Sequence, residues 1–431
     1  GLGDASKSHV IALKPDFAEA HGNLGNTLQE LGKLDEAEAS CRQAIALNPD
    51  IAEAHSNLGV TLQQLGRIDE AEASCRQAIV LNPDFAEAHG NLGVTLHSLS
   101  RLEEASASYK KAIALKADYA QAHGSLGNLL RELSRLEEAE ASYRKAIALK
   151  PDYAEAHANL SVTLRERGDL ANALEYANKG IKLDAKLIDL HLNMGIIYYA
   201  TGDIDLALAS LEKGKSIDPK SMEIRLLCTI FKKKKAADQT GSHIENLSGL
   251  NLGAKLNPNP FFSTRPVEQE LITDLYKMDS RELNQTHDTR HGNGRCSPDF
   301  SLFEEDRSVI KTLASDLICI MKQAVKSEIF VYDSFFNIYG AGGGTTPHGH
   351  LSVLDKDPSL NFAKQKFSLV YYLSIGDQNC SEPGILKLYD PSEDILPCEG
   401  MIVIMPGDRL HSAVYNGKKD RVMIGVNFYS L

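Results

Sequence analysis

Shifted by 34 residues, the first half of the chain matches itself again and again. Blocks open at Phe17, Ile51, Phe85, Tyr119, Tyr153 and Leu187, and a partial one opens at Ser221. Such a period constrains the fold strongly, because a short unit that cannot bury its apolar face alone must stack on its neighbours. Each block carries two apolar stripes at helical spacing. In the first block, Ala20, Leu24 and Leu28 form one stripe; Ala37, Cys41, Ala44 and Ile45 form the other. Gly32-Lys33 separates the two helices, and Asn48-Pro49-Asp50 ends the second. Residues 6–16 match only the last third of a block, and the chain does not open with Met, so a further repeat is expected upstream.

A helix pair every 34 residues, with small residues where helices cross, resembles the tetratricopeptide repeat over residues 6–235. Two polar columns run through the blocks. His21, His55, His89, His123, His157 and His191 share one position. Equivalent residues of stacked repeats lie roughly 8–10 Å apart, too far to share a metal, so this column is expected to be structural. Asn23, Asn57, Asn91, Asn159 and Asn193 share another position, with Ser125 in the remaining block. The resemblance places that column on the first helix of each pair, lining a concave face. An amide both donates and accepts, so the column is a candidate grip on the backbone of a protein or peptide partner. Local hydrogen bonding within the array is the competing use.

Composition narrows the class further. No run of 18 apolar residues exists to cross a membrane as a helix, and no leader pattern opens the chain. The formal net charge of −12 argues against general nucleic-acid binding, and the run Lys232–Lys235 reads as a solvated helix end. Cys41, Cys75, Cys228, Cys296, Cys319, Cys380 and Cys398 are odd in number and form no CxxC pair. That pattern fits a reducing compartment, so a cytoplasmic location is expected.

The pattern changes after the lysine run. Residues 236–266 are rich in Asn, Gly, Ser and Pro and read as a linker between a repeat domain, 1–235, and a second domain, 267–431. Helices are predicted at Val267–Met278 and Glu304–Lys326. Short β-rich runs follow at Ile329–Tyr339, Phe367–Ile375, Gly384–Tyr389, Gly400–Met405, His411–Tyr415 and Arg421–Tyr429. Ala341-Gly342-Gly343-Gly344 reads as a turn between two of them. Many short strands at this spacing predict a sandwich or jelly-roll.

The informative string is NIYGAGGGTTPHGHL, Asn337–Leu351. Tyr339 stands nine residues before His348, and His411 stands ten before Arg421. This ordered set resembles the prolyl 4-hydroxylase-type oxygenases over about residues 330–431. The resemblance implies a double-stranded β-helix that binds Fe(II) through His348, His350 and His411. It also implies 2-oxoglutarate as co-substrate, with its far carboxylate held by Arg421 and Tyr339. Arginine suits that role because guanidinium stays charged and forks onto a carboxylate. Lys387 is a weaker candidate for the same duty. One departure stands out: His350 occupies a position where that family usually has Asp or Glu. Either His350 ligates, or Asp355 or Asp357 swings in, or the site uses only two histidines or is catalytically dead. His287, His291 and Arg295 lie outside the motif and read as a solvated loop.

The implied architecture is an all-α repeat arm followed by a jelly-roll domain with flanking helices. The function expected from it is hydroxylation of a protein or peptide recruited by the arm. An interaction scaffold with a degenerate barrel, and a three-histidine cupin-like dioxygenase, remain the alternatives.

Overall fold

The computed structural model describes residues 17–239, 260–282, 292–352, 354–357, 360 and 362–431. The partial upstream repeat, most of the linker read at 236–266, and His287 and His291 lie outside the described residues. The chain divides into two compact units, Gly1–Asn193 and Met194–Leu431.

Among the described residues, thirteen helices run from Ala18–Glu30 (α1) to Met222–Gln239 (α13), two to a repeat. Small residues let the helices of a pair approach. A Cβ added at Gly25 would lie 2.4 Å from the Cys41 sulfur, and one at Gly59 2.5 Å from Cys75. At Gly93 and Gly127 the opposing side chains are Tyr109 and Tyr143, at 2.6 and 2.7 Å. The turn inside each pair needs one residue in the left-handed region. Gly32, Gly66, Gly168 and Gly202 fill it at φ between +73° and +87°, and Ser100 and Ser134 fill it at +57° and +58°.

In the second unit, Glu223 and Arg225 of α13 reach the sheet domain. The Tyr332 hydroxyl donates to Glu223 at 2.8 Å, and Arg225 pairs with Glu304 at 3.2 Å. Among the described residues two further helices follow, Gln269–Lys277 (α14) and Ser308–Val325 (α15). Ten strands among the described residues make one curled antiparallel sheet: Phe261–Thr264 (β1), Arg281–Glu282 (β2), Gly292–Cys296 (β3), Ile329–His348 (β4), Lys366–Ser374 (β5), Leu386–Leu388 (β6), Glu393–Ile395 (β7), Met401–Pro406 (β8), His411–Tyr415 (β9) and Arg421–Ser430 (β10). Their order is β1-β8-β5-β10-β4-β9-β6-β7, with β3 and then β2 added beside β4.

Strand alternation sorts the side chains into two layers. Ile338 on β4, Leu369 and Tyr371 on β5, Ile402 and Ile404 on β8, and Ile424 and Val426 on β10 pack with Leu271, Leu313 and Leu317 of the helices. The alternate set, including Val370, Tyr372, Leu386, Leu388, Val403 and Met405, packs inside the curl. Residues Tyr339, Tyr372 and Arg421 therefore share the interior with the ends of β4 and β9.

The glycine run expected as a turn instead continues as strand. Residues 329–339 of β4 pair with β10, and residues 343–348 pair with β9. Glycine makes the crossing possible. Gly344 sits at φ +141°, and a Cβ there would lie 2.1 Å from the Ala413 carbonyl oxygen. The pattern of glycines suggests a break, whereas the backbone uses them to pass from one side of the curl to the other.

Candidate metal centre

The centre is built at the place where β4 ends against the start of β9. The pairing register sets His348 opposite His411. The chain then leaves the strand, and the His350 amide donates to the Gly407 carbonyl at 2.8 Å, turning His350 back to the same spot. One ligand atom from each of His348, His350 and His411 lies within 4.8 Å of the others. The Nε2 atoms of His350 and His411 are 3.3 Å apart.

The hydrogen bonds set the tautomers. His348 Nδ1 stands 2.8 Å from the Thr346 carbonyl, and His411 Nδ1 stands 3.2 Å from the Arg409 carbonyl. A carbonyl only accepts, so each Nδ1 carries the proton and each Nε2 offers a lone pair. Burial, with His348 adding to it, pushes His411 down to about 4, so the ring is a neutral donor at neutral pH. A first-row divalent ion fits this donor set. Two nitrogens bound at about 2.1 Å and roughly 90–109° apart would stand about 3.0–3.4 Å from one another.

The two aspartates considered as alternative ligands stand outside this histidine group. Asp355 is buried and fully occupied. It accepts from the Ser352 amide at 2.6 Å, the Ser352 hydroxyl at 2.7 Å, the Tyr429 hydroxyl at 2.7 Å and Lys366 Nζ at 2.8 Å. The Lys366 ammonium lies in turn over the Tyr332 and Tyr429 rings, at 4.9 and 5.2 Å. Asp357 is buried, its amide donating to the Leu354 carbonyl.

A second pole lies within the same cavity of about 320 Å³, which the three histidines, Tyr339, Tyr372 and Arg421 all line. Arg421 is fully buried, and no carboxylate among the described residues pairs with it. Its Nη1 donates to the Gly384 carbonyl at 2.5 Å, and its guanidinium lies 4.8 Å from the centre of the Tyr372 ring. Nε and Nη2 of Arg421 and the hydroxyls of Tyr339 and Tyr372 make no close hydrogen bond, and the Tyr372 hydroxyl lies nearest the guanidinium itself. Burial pushes both phenols above their usual range, so each remains a donor. A buried cation flanked by two phenolic donors has the chemistry of a carboxylate site.

Tyr372 and Gly384 also join the site; the sequence places them in β-rich runs but gives neither a site role. Gly384 has φ +77°, and a Cβ there would lie 1.5 Å from Arg421 Nη1. Lys387 is exposed and does not line the cavity. Arg295, on β3, lies over the Tyr276 ring at 5.0 Å and not in the cavity.

In the repeat array the histidine column is tied to the preceding turns. His55, His89, His157 and His191 each place Nε2 2.9–3.0 Å from the carbonyl six residues earlier. The asparagine column is largely engaged as well. Asn57 donates to the Gly22 carbonyl at 3.4 Å, Asn91 to the Ser56 hydroxyl at 3.0 Å and Asn159 to Asn128 at 3.0 Å. Asn193 is buried; it donates to Ser161 at 2.7 Å and accepts from Arg165 at 2.5 Å. Asn23, in the first described helix, is exposed. Four of the five amides thus use a donor to join successive repeats.

Comparison with known proteins identifies this array. Models described as tetratricopeptide repeat match residues 18–51, 52–85, 154–187 and 188–221, and one described as TPR repeat matches 95–130 and 127–164. Among solved structures, the APC/C hetero-tetramer Cut9-Hcn1 is 19% identical over 52% of this chain and 45% of that chain, with a TM-score of 0.50. PilF of Pseudomonas aeruginosa is 20% identical over 48% of this chain and 95% of that chain, with a TM-score of 0.44. YrrB, described as a TPR protein with an unusual peptide-binding site, is 23% identical over 43% of this chain and 95% of that chain, with a TM-score of 0.36. Comparison with curated protein sequences finds no significant match.

Proposed function

We infer that residues 18–85 and 95–221, which are tetratricopeptide repeats, serve as a protein-interaction scaffold. Among the described residues, no helix is long and apolar enough to cross a membrane. From that base, we propose that the sheet domain is a jelly-roll oxygenase that uses Fe(II) and 2-oxoglutarate to hydroxylate a protein or peptide brought to it by the repeats. The strand order supports the jelly-roll reading, because one long strand, β4, is shared between the two sides of the curl.

The observation that carries the activity is the pairing of two sites in one cavity. Three imidazoles converge at one end, and a buried arginine stands with two tyrosine hydroxyls nearby. In this reading His348, His350 and His411 would hold the iron, which supplies oxygen activation when bound. Arg421 would fork onto the far carboxylate of the co-substrate, and Tyr339 and Tyr372 would donate to it. The apolar wall of Val370, Leu386 and Met423 would exclude water from the acid's methylene chain. Gly384 keeps room for the guanidinium. Asp355, held by Lys366, stays out of the metal shell, so the centre relies on three histidines and lacks a ligand carboxylate.

Succinate formation tests this reading. Protein loaded with Fe(II) should release succinate from 2-oxoglutarate in air, and Arg421→Ala should raise the apparent KM for 2-oxoglutarate by about 100-fold. Succinate at the level of protein-free controls would remove the oxygenase reading and leave the repeat scaffold.

A further inference from the structure

A second cavity of about 710 Å³ adjoins the histidine chamber. Its walls come from the start of α13, the loop before α15 and the first residues of β4. Two residues, Phe300 and Asp333, line both spaces. The chamber has the size of a small-acid site, whereas its neighbour has the size of a larger ligand's site.

Phe300 is unusual. It holds φ at +59°, a left-handed conformation that a bulky residue rarely adopts, and it is 45% exposed. The ring packs edge-on against Phe335 at 5.4 Å and lies under the Arg281 guanidinium at 5.9 Å. An aromatic residue is thus kept at the junction of the two cavities in a backbone state it does not favour.

The charge around the second cavity is uneven. Glu223, Asp299, Glu304 and Asp333 face it, against Lys220 and Arg225. Arg225 is taken by Glu304. Glu223 is bonded to the hydroxyls of Tyr332 and Ser221, Asp299 to the Ser301 amide, and Asp333 to Asn427. None of those three acids has a cationic partner within ion-pair distance among the described residues. Between them lie apolar surfaces of Met222, Phe303 and Val331.

We propose that this second cavity is the groove for a basic polypeptide segment, whose target residue passes between Phe300 and Asp333 into the histidine chamber. The last clause rests on the oxygenase reading; the groove itself does not. Acidic groups lacking cations select Lys- or Arg-bearing segments, and the apolar patches take their aliphatic stems. Asp333, deep at the junction, has carboxylate capacity left for one donor from the entering residue.

The test is binding, with no metal added. The probes are two end-blocked, fluorescein-labelled decapeptide pools, one carrying Lys or Arg at alternate positions and the other Glu. At roughly physiological ionic strength, the full chain should bind the basic pool at least about tenfold tighter by anisotropy. The double variant Glu223→Lys/Asp299→Lys should erase that preference. The equal-charge control Glu53→Lys/Glu103→Lys, on exposed array positions, should keep it. Phe300→Gly, which suits the left-handed backbone, should weaken the basic pool by about fivefold. Equal binding of both pools, equal loss in the control, or unchanged binding by both groove variants overturns the proposal. His411→Ala should bind the basic pool like the parent chain, so a failure of the iron chemistry is seen separately from a failure of the groove.

Discussion

The repeat array and the sheet domain treat polar side chains in opposite ways. In the array, four of the six column histidines set a ring nitrogen on the carbonyl six residues back, and four of the five column asparagines bond to the preceding repeat. In the sheet domain, three histidines turn toward one another, and four polar atoms of Tyr339, Tyr372 and Arg421 face one cavity without a close hydrogen bond. The lesson concerns recurrence. A polar residue repeated at fixed spacing is mostly taken up by neighbouring repeats, whereas the set converging from distant strands leaves polar atoms facing one cavity. The orphaned polar atoms of the array belong to no such set: His123 and Arg131 stand at opposite ends of one helix, and His157 lies on another.

The contrast can be broken most directly at the metal. Alanine at His411 should lower iron affinity by at least about 100-fold, read as metal content after dialysis, while His89→Ala should leave it unchanged. Iron retention by the His411 variant would place the metal elsewhere.

Lys366→Met, away from the three histidines, should be strongly destabilising. It strands the buried Asp355 carboxylate and should cost about 3–5 kcal/mol by denaturant titration. A cost near zero would show that Asp355 has turned to another partner, and a rise in metal affinity would identify that partner as the ion.

Acidity should weaken the metal-free fold through the same centre. The folded pKa of His411, about 4, lies below the ordinary 6.5, so the unfolded chain takes up the proton first as pH falls. Stability should therefore decline from about pH 6.5 toward 4, by about 3 kcal/mol at most, and His411→Asn should flatten that slope. An unchanged slope in the variant would assign the titration to other groups.

The smallest expected effects belong to the array. Asn91→Ala should lose about 1 kcal/mol through its inter-repeat bond to Ser56. Ser134→Gly should gain up to about 1 kcal/mol, because its φ of +58° suits glycine. Destabilisation by that glycine would mean the serine side chain contributes more than its backbone strain.

The array is largely readable in the sequence alone. Its repeat phase is stated six times, and each copy corrects the helix ends of the others. What stays hidden there is non-local. The asparagine column is visible as a column, yet its partners lie about 35 residues away, and Asn193 is buried between Ser161 and Arg165. In the sheet domain, the spacing of Tyr339, His348, His411 and Arg421 singles out residues that do meet in one cavity. Tyr372 and Gly384 give no such signal, because a buried tyrosine on a strand and a glycine before one look ordinary until Arg421 lies against both. The engagement of Asp355 by Lys366 and Tyr429 is equally unreadable, since it depends on three separate segments meeting.

One measurement bears on the central claim, that His348, His350 and His411 hold iron beside a carboxylate site built on Arg421. Anaerobic titration of the full chain with Fe(II) and then 2-oxoglutarate should produce a weak visible charge-transfer band from the chelate. That band should be lost in His350→Ala, and in Arg421→Ala it should appear only at much higher acid concentration. A parent chain that takes up iron yet shows no band at saturating 2-oxoglutarate would contradict the account.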